Sequence, residues 1–186
     1  MASRILSLVA LLVLATPAAA NSSAYTPLAL DKCRALPTDP DDPLAGGAWL
    51  CTGYRGIVVR VEENDERVYV SYGPHAADEP AASETLPAFN DVGETIEWRL
   101  DGSGRPFATI FRFHTGSEDN RGSSLVVTRL APPGHVCRVG IVDAVANPDA
   151  NANAIARAVA DRFAAGYACS GSDAPAYGIG GRPIQP

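Results

Sequence analysis

The chain has 186 residues, 46% of them hydrophobic and 19% charged, and a formal net charge of −6. That length fits one domain, and that balance is a folded globular chain's, not a disordered one's. Fourteen Arg and a single Lys are scattered through an acidic sequence, which excludes the concentrated basic surface that DNA, RNA or an anionic lipid face requires.

The opening, MASRILSLVALLVLATPAAA, reads as a signal peptide over residues 1–20. Arg4 supplies the positive start, Ile5 to Ala15 the apolar stretch, and Ala18-Ala19-Ala20 the small residues that precede cleavage, so the spacing predicts a mature start at Asn21. A bilayer span takes about 20 apolar residues, which this stretch does not reach. No later stretch reaches it either, and no Cys stands at the cleavage point to carry a lipid. The mature chain is therefore expected to be periplasmic or secreted, without membrane insertion.

Four cysteines remain, Cys33, Cys51, Cys137 and Cys169. An even count in an exported chain predicts two disulfides with three formal connectivities. A zinc site is disfavoured, because no C-x-C or C-x-x-C pair exists. The layout favours Cys33–Cys51 and Cys137–Cys169. A strand from Val136 to about Val145 and a helix from Pro148 to about Ala165 span roughly 33 Å and 27 Å, so a helix that doubles back returns Cys169 to Cys137.

In chain order, residues 21–48 hold Pro37, Pro40, Pro43, Gly46 and Gly47 and read as an irregular leader pinned by Cys33. Trp49 to Gly53 is a short strand. Ile57, Val59 and Val61 alternate, as do Val68, Val70 and Tyr72, around the turn Glu63 to Glu66, which predicts a hairpin. Residues 74–82 are a loop, and Pro87 keeps any helical turn near Leu86 short. A second hairpin pairs Thr95–Leu100 with Phe107–Phe113. Setting Leu100 opposite Phe107 puts Ile96 opposite Phe111. It leaves Glu97, Arg99 and Arg112 on an outer face, with Glu97 in diagonal reach of Arg112.

His114 to Gly122 is a polar loop. Ser123–Leu130 and Val136–Val145 are further strands around the turn Ala131 to Gly134. Asn147 suits a helix N-cap, Pro148 the first helical position and Asp149 the positive end of the dipole. Ala152, Ile155, Ala156, Val159 and Phe163 form the helix's apolar stripe, with Arg157 and Asp161 opposite and Gly166 at its end. The Gly/Pro-rich tail, residues 170–186, is expected to be disordered. The expected fold is α+β: a single domain over 49–169, with a twisted antiparallel sheet of about six strands built from hairpins and one C-terminal helix packed on one face.

Candidate chemistry is sparse. His75, His114 and His135 show no metal-ligand spacing, the 116–124 loop lacks a calcium pattern, and no G-x-S-x-G, P-loop or dinucleotide glycine run occurs. No cofactor, metal or catalytic residue is indicated. The reading is a non-catalytic binding or interaction module for a periplasmic protein or small ligand, using a sheet face or the loops at 74–82 and 114–122. The alternative is an enzyme acting on envelope polymers, centred on His114 with Arg112, Glu118 and Asp119 nearby.

Two resemblances add to this. Ser103-Gly104-Arg105-Pro106-Phe107 resembles the S-G-x-x-Y-like loop of secreted bacterial inhibitors of c-type lysozyme, with Phe in place of Tyr, and marks Ser103 and Phe107 as interaction candidates. More broadly, the spaced pattern Tyr25, Leu28, Leu30, Cys33, then Cys51 to Tyr54, Val70 to Gly73, Phe89-Asn90, Gly93, Thr95 to Leu100, Pro106 to Ile110, Asp143 to Asn147 and Ala156-Arg157 with Val159-Ala160-Asp161 resembles a family of exported alphaproteobacterial proteins. That resemblance implies periplasmic residence and a shared fold. The family has no assigned activity, so it carries over no catalytic residue.

Protein recovered from the exported fraction should begin at Asn21 and show no thiol reactivity before reduction. Mass spectrometry with a thiol-alkylating reagent checks both points.

Overall fold

The fold is a computed structural model that describes residues 20–39, 41, 44–117, 120–148, 150–169 and 174–184. The first hairpin forms as the alternation demands. Strands β1 (Ser22–Pro27), β2 (Arg34–Ala35) and β3 (Ala45–Thr52) precede it, and β4 (Val58–Asn64) and β5 (Arg67–Tyr72) build it. Val59 pairs with Tyr72 and Val61 with Val70, so all four side chains fall on one face, and each is buried. Asp65 and Glu66 both take positive φ, 51° and 55°, the two-residue turn that matches strand twist.

The second half continues with β6 (Asn90–Leu100), β7 (Pro106–Thr115), β8 (Gly122–Arg129), β9 (Arg138–Asp143), the helix α1 (Ala150–Phe163), and the short strands β10 (Ala176–Tyr177) and β11 (Pro183–Ile184). Two sheets result. The smaller runs β2-β3-β4-β5 and the larger β1-β6-β7-β8-β9-β10-β11. The larger is antiparallel except where β10 joins β9 in parallel.

The single half-covered sheet expected from alternation is corrected here. The larger sheet is buried on both faces. On one, Ile96, Trp98, Phe111 and Phe113 meet Val59, Val61 and Tyr72 of the smaller sheet. On the other, Ala108, Ile110, Leu125 and Val127 meet Ala152, Ala156, Val159 and Ala160 of α1. The alternation in β6 and β7 is one of size and charge, not of core against solvent. The buried helical stripe is also rotated: Ala160 and Ala164 are buried, whereas Phe163 is 37% exposed. A small-residue stripe lets α1 approach closely, and Gly140 completes the fit, since a Cβ there would stand 2.8 Å from Val159.

Four local expectations also change. The leader is not irregular throughout, because β1 pairs with β6 along its length and forms an edge of the larger sheet. Ile96 does face Phe111, but a register shift pairs Leu100 with Pro106 instead of Phe107. Asn147 does not cap α1. Its side chain donates to the carbonyls of Asp143 and Gly178 and accepts from Gly180 N–H. Residues 174–184 of the tail fold back onto β9; Asp149 and residues 170–173 lie outside the described residues. Both disulfides form as expected, Cys33–Cys51 and Cys137–Cys169.

Glu66 sits where glycine alone is free of strain, so Glu66→Gly should raise stability by about 0.5–1 kcal/mol, read from urea unfolding.

Candidate binding groove

The groove begins at an irregularity in β6. Val92 pairs with Phe113 and Ile96 with Phe111, so residues 93–95 together oppose Arg112 alone. Such a bulge bends its strand and re-aims side chains. The end of β1 holds it in place, as Leu28 N–H donates to Glu94 O at 2.8 Å. On one side lies a depression of about 510 Å³ between Leu28, Leu30 and Glu94. On the other lies one of about 670 Å³ lined by Asp91, Glu94, Arg112 and His114.

The second depression shares walls with its neighbours. Asp91 and His114 also line an opening of about 660 Å³ that reaches Glu63, Glu66, Phe89 and Arg121. Thr95 and Arg112 also line a crevice of about 170 Å³ that reaches Tyr25, Glu97 and Asn153. Along β7, Ala108 and Ile110 lie under α1, Arg112 is half-buried and His114 is exposed. The groove floor is thus the part of the helix-side face that α1 leaves uncovered.

An aromatic ring stands at each end, Phe89 at 56% exposure and Tyr25 at 55%. Both are positioned. The buried Asn90 accepts from Val68 N–H and donates to Ala88 O, fixing the backbone on either side of Phe89. The Tyr25 hydroxyl accepts from Arg157 at 3.0 Å. Between them, Arg112 donates to the Ser123 hydroxyl at 2.6 Å. His114 faces Asp91 across the β6–β7 ladder.

Beside this floor, a charged network seats the helix. Arg157 donates to both carboxylate oxygens of Glu97, at 2.6 and 3.1 Å. Arg99 donates to both oxygens of Asp161, at 2.7 to 3.0 Å. Ser23 joins the two pairs, donating to Glu97 and accepting from Arg99. The hydrogen bond to Glu97 is the first cause that raises the Arg157 pKa above a guanidinium's usual value. The face expected to point outward is therefore buried, and Glu97 meets Arg157 instead of Arg112. A signal was present in the sequence. Glu97 and Arg99 stand about 7 Å apart along a strand, Arg157 and Asp161 about 6 Å apart along a helix, and their charges are complementary.

The remaining candidates do not converge on the groove. Ser103 sits at the opposite end of the β6–β7 hairpin from His114, and its hydroxyl donates to Asp101 at 2.6 Å. That bond is the largest cause holding the Asp101 carboxyl well below the usual range. Phe107 packs against the helix-side core. His75 and His135 are exposed on separate loops. Within the 74–82 loop Glu79 is buried and accepts from Gly134 and Val136 N–H, so its carboxylate braces a neighbouring turn. Glu118 and Asp119 lie outside the described residues. Among the described residues no three of His, Cys, Asp and Glu gather as metal ligands, and no helix is long and apolar enough to cross a membrane.

The two ion pairs are asymmetric in burial, with side-chain exposures of 7% for Arg99 and 35% for Asp161. Asp161→Ala strands a buried guanidinium and should cost about 3 kcal/mol. Arg99→Met leaves a carboxylate that water can reach and should cost clearly less. Urea unfolding of the two variants compares them.

No family model, curated protein or solved structure matches the chain.

Proposed function

We propose that this protein is an extracytoplasmic binding module without catalysis, and that an uncharged or amine-bearing glycan lies along the groove. One observation carries the reading: two exposed aromatic rings, Tyr25 held by Arg157 and Phe89 on a backbone pinned by Asn90, at the two ends of a row of adjoining depressions lined by charged side chains. Aromatic faces cover the C–H faces of sugar rings, while carboxylates, a guanidinium and an imidazole exchange hydrogen bonds with hydroxyls. Glu63, Glu66, Asp91 and Glu94 outnumber Arg112 and Arg121 along the lining, which disfavours an acidic polymer. The leader sequence supports export, and the two disulfides fit it, since disulfides persist in oxidising compartments. Membership of the exported alphaproteobacterial family belongs to the same proposal.

A second reading, hydrolysis of an envelope polymer, has one point in its favour: Asp91 and His114 are cross-strand neighbours at the groove's centre. The lysozyme-inhibitor reading has less, because Ser103 bonds within its own turn and Phe107 packs inward.

Calorimetric titration with partly deacetylated N-acetylglucosamine oligomers should show saturable binding, weakened at least tenfold by Phe89→Ala or Tyr25→Ala. Oligogalacturonate should not bind. Equal binding of both polymers, or no effect of either substitution, contradicts the proposal. Release of reducing ends that His114→Ala abolishes would favour the enzyme.

A further inference from the structure

Residues 174–184 occupy a seat built by other regions of the chain, at the edge of the larger sheet formed by β9 and far from the bulged β6. Ala176 and Tyr177 pair in parallel with Ile141 and Val142, and Ile141 N–H donates to Pro175 O at 3.1 Å. The Tyr177 ring is 7% exposed and lies in the helix-side core, over a spot kept open by Gly140, where a Cβ would come within 3.1 Å of the ring. Next to it, Asn147 is 1% exposed and reads the backbone of the segment with both ends of its amide. It donates to Gly178 O and accepts from Gly180 N–H, each at 2.7 Å. A third bond, to Asp143 O, holds that amide in place from the β9 side. The two glycines that follow, Gly180 and Gly181, take φ of 64° and 71° and turn the chain back, with Gly181 against Ile155.

The seat therefore selects a sequence: an aromatic anchor, a glycine backbone within reach of Asn147, then a glycine turn. The occupant's own hold is short. It has two residues of parallel pairing, one anchor ring and one amide clamp, and segments held this way open without global unfolding. Opening bares the edge of β9, and an unpaired edge recruits another strand. The segment that matches the seat in every respect is the same segment on a second copy, the condition under which identical elements exchange between protomers. We propose that this seat is a docking site for a strand that turns back at its glycines, Tyr-Gly-Ile-Gly-Gly, and that residues 174–184 of a second copy enter it in exchange for the resident segment.

The test uses the full chain carrying Tyr177→Ala, whose own segment lacks its anchor, and a fluorescein-labelled peptide of residues 174–184. Fluorescence anisotropy should show saturable binding at least tenfold tighter than to the wild-type protein, where the resident segment competes. Adding Asn147→Ala to the host should abolish it. A host with wild-type circular dichroism that fails to bind the peptide, or binds one carrying Tyr177→Ala equally well, overturns the proposal. If Tyr177→Ala prevents folding, hydrogen exchange on the wild-type protein decides. Amides of Tyr177 and Gly180 exchanging at least tenfold faster than those of β7 and β8 support independent opening; equal protection overturns it.

Discussion

The arrangement depends on how α1 is seated. Most of its buried face is alanine, which brings close approach but little area: Ala152, Ala156 and Ala160 each offer one methyl group. The charged network supplies what the methyl groups do not, a defined position. Arg157 and Asp161, one turn apart, engage Glu97 and Arg99, two residues apart, and the Ser23 hydroxyl links both pairs to β1. Sliding the helix along the sheet would break both ion pairs at once and leave Glu97 and Arg99 buried with only the Ser23 hydroxyl as partner. Buried ion pairs add little net stability against an apolar alternative, yet their disruption is costly, so the network acts as a register mark. The Cys137–Cys169 bridge ties the chain beyond the far end of α1 to the start of β9.

The groove is a consequence of that register. With α1 held over Ala108 and Ile110, the sheet face beyond them stays open at Arg112 and His114. The bulge in β6 then widens the opening, Arg157 holds the Tyr25 hydroxyl at one end, and Asn90 pins the backbone that carries Phe89 at the other. The polar lining is thus set by backbone irregularity and helix placement, while the disulfides and apolar cores supply a rigid frame. Rigid frames with preset rings lose little conformational freedom on binding, which favours an extended ligand over one that must be enclosed.

Much of the frame is legible in the sequence. Period-2 alternation locates both hairpins, the facing of Ile96 and Phe111 follows from apolar pairing, and the cysteine spacing matches both bridges. What escapes has common physical reasons. Charge in a strand suggests solvent, so Glu97 and Arg99 read as outward-facing although complementary charges wait on the helix. Proline and glycine read as breakers, which hides β1 and the seated tail, where short strands are held by tertiary contacts and not by propensity. Asn147 has the identity of a helix cap, but the tail backbone competes for its amide and wins. The groove itself leaves almost no trace, because a bulge at residues 93–95 changes no composition and Phe89 resembles any other apolar residue until its exposure is known.

The most direct test of the account is a double-mutant cycle on Glu97 and Arg157, with Glu97→Gln, Arg157→Met and the double variant compared by urea unfolding. If the network seats the helix, the coupling should be about 1–3 kcal/mol, and the double variant should be more stable than the Arg157 single variant. Additive effects, with coupling near zero, would contradict a helix held in register by charge.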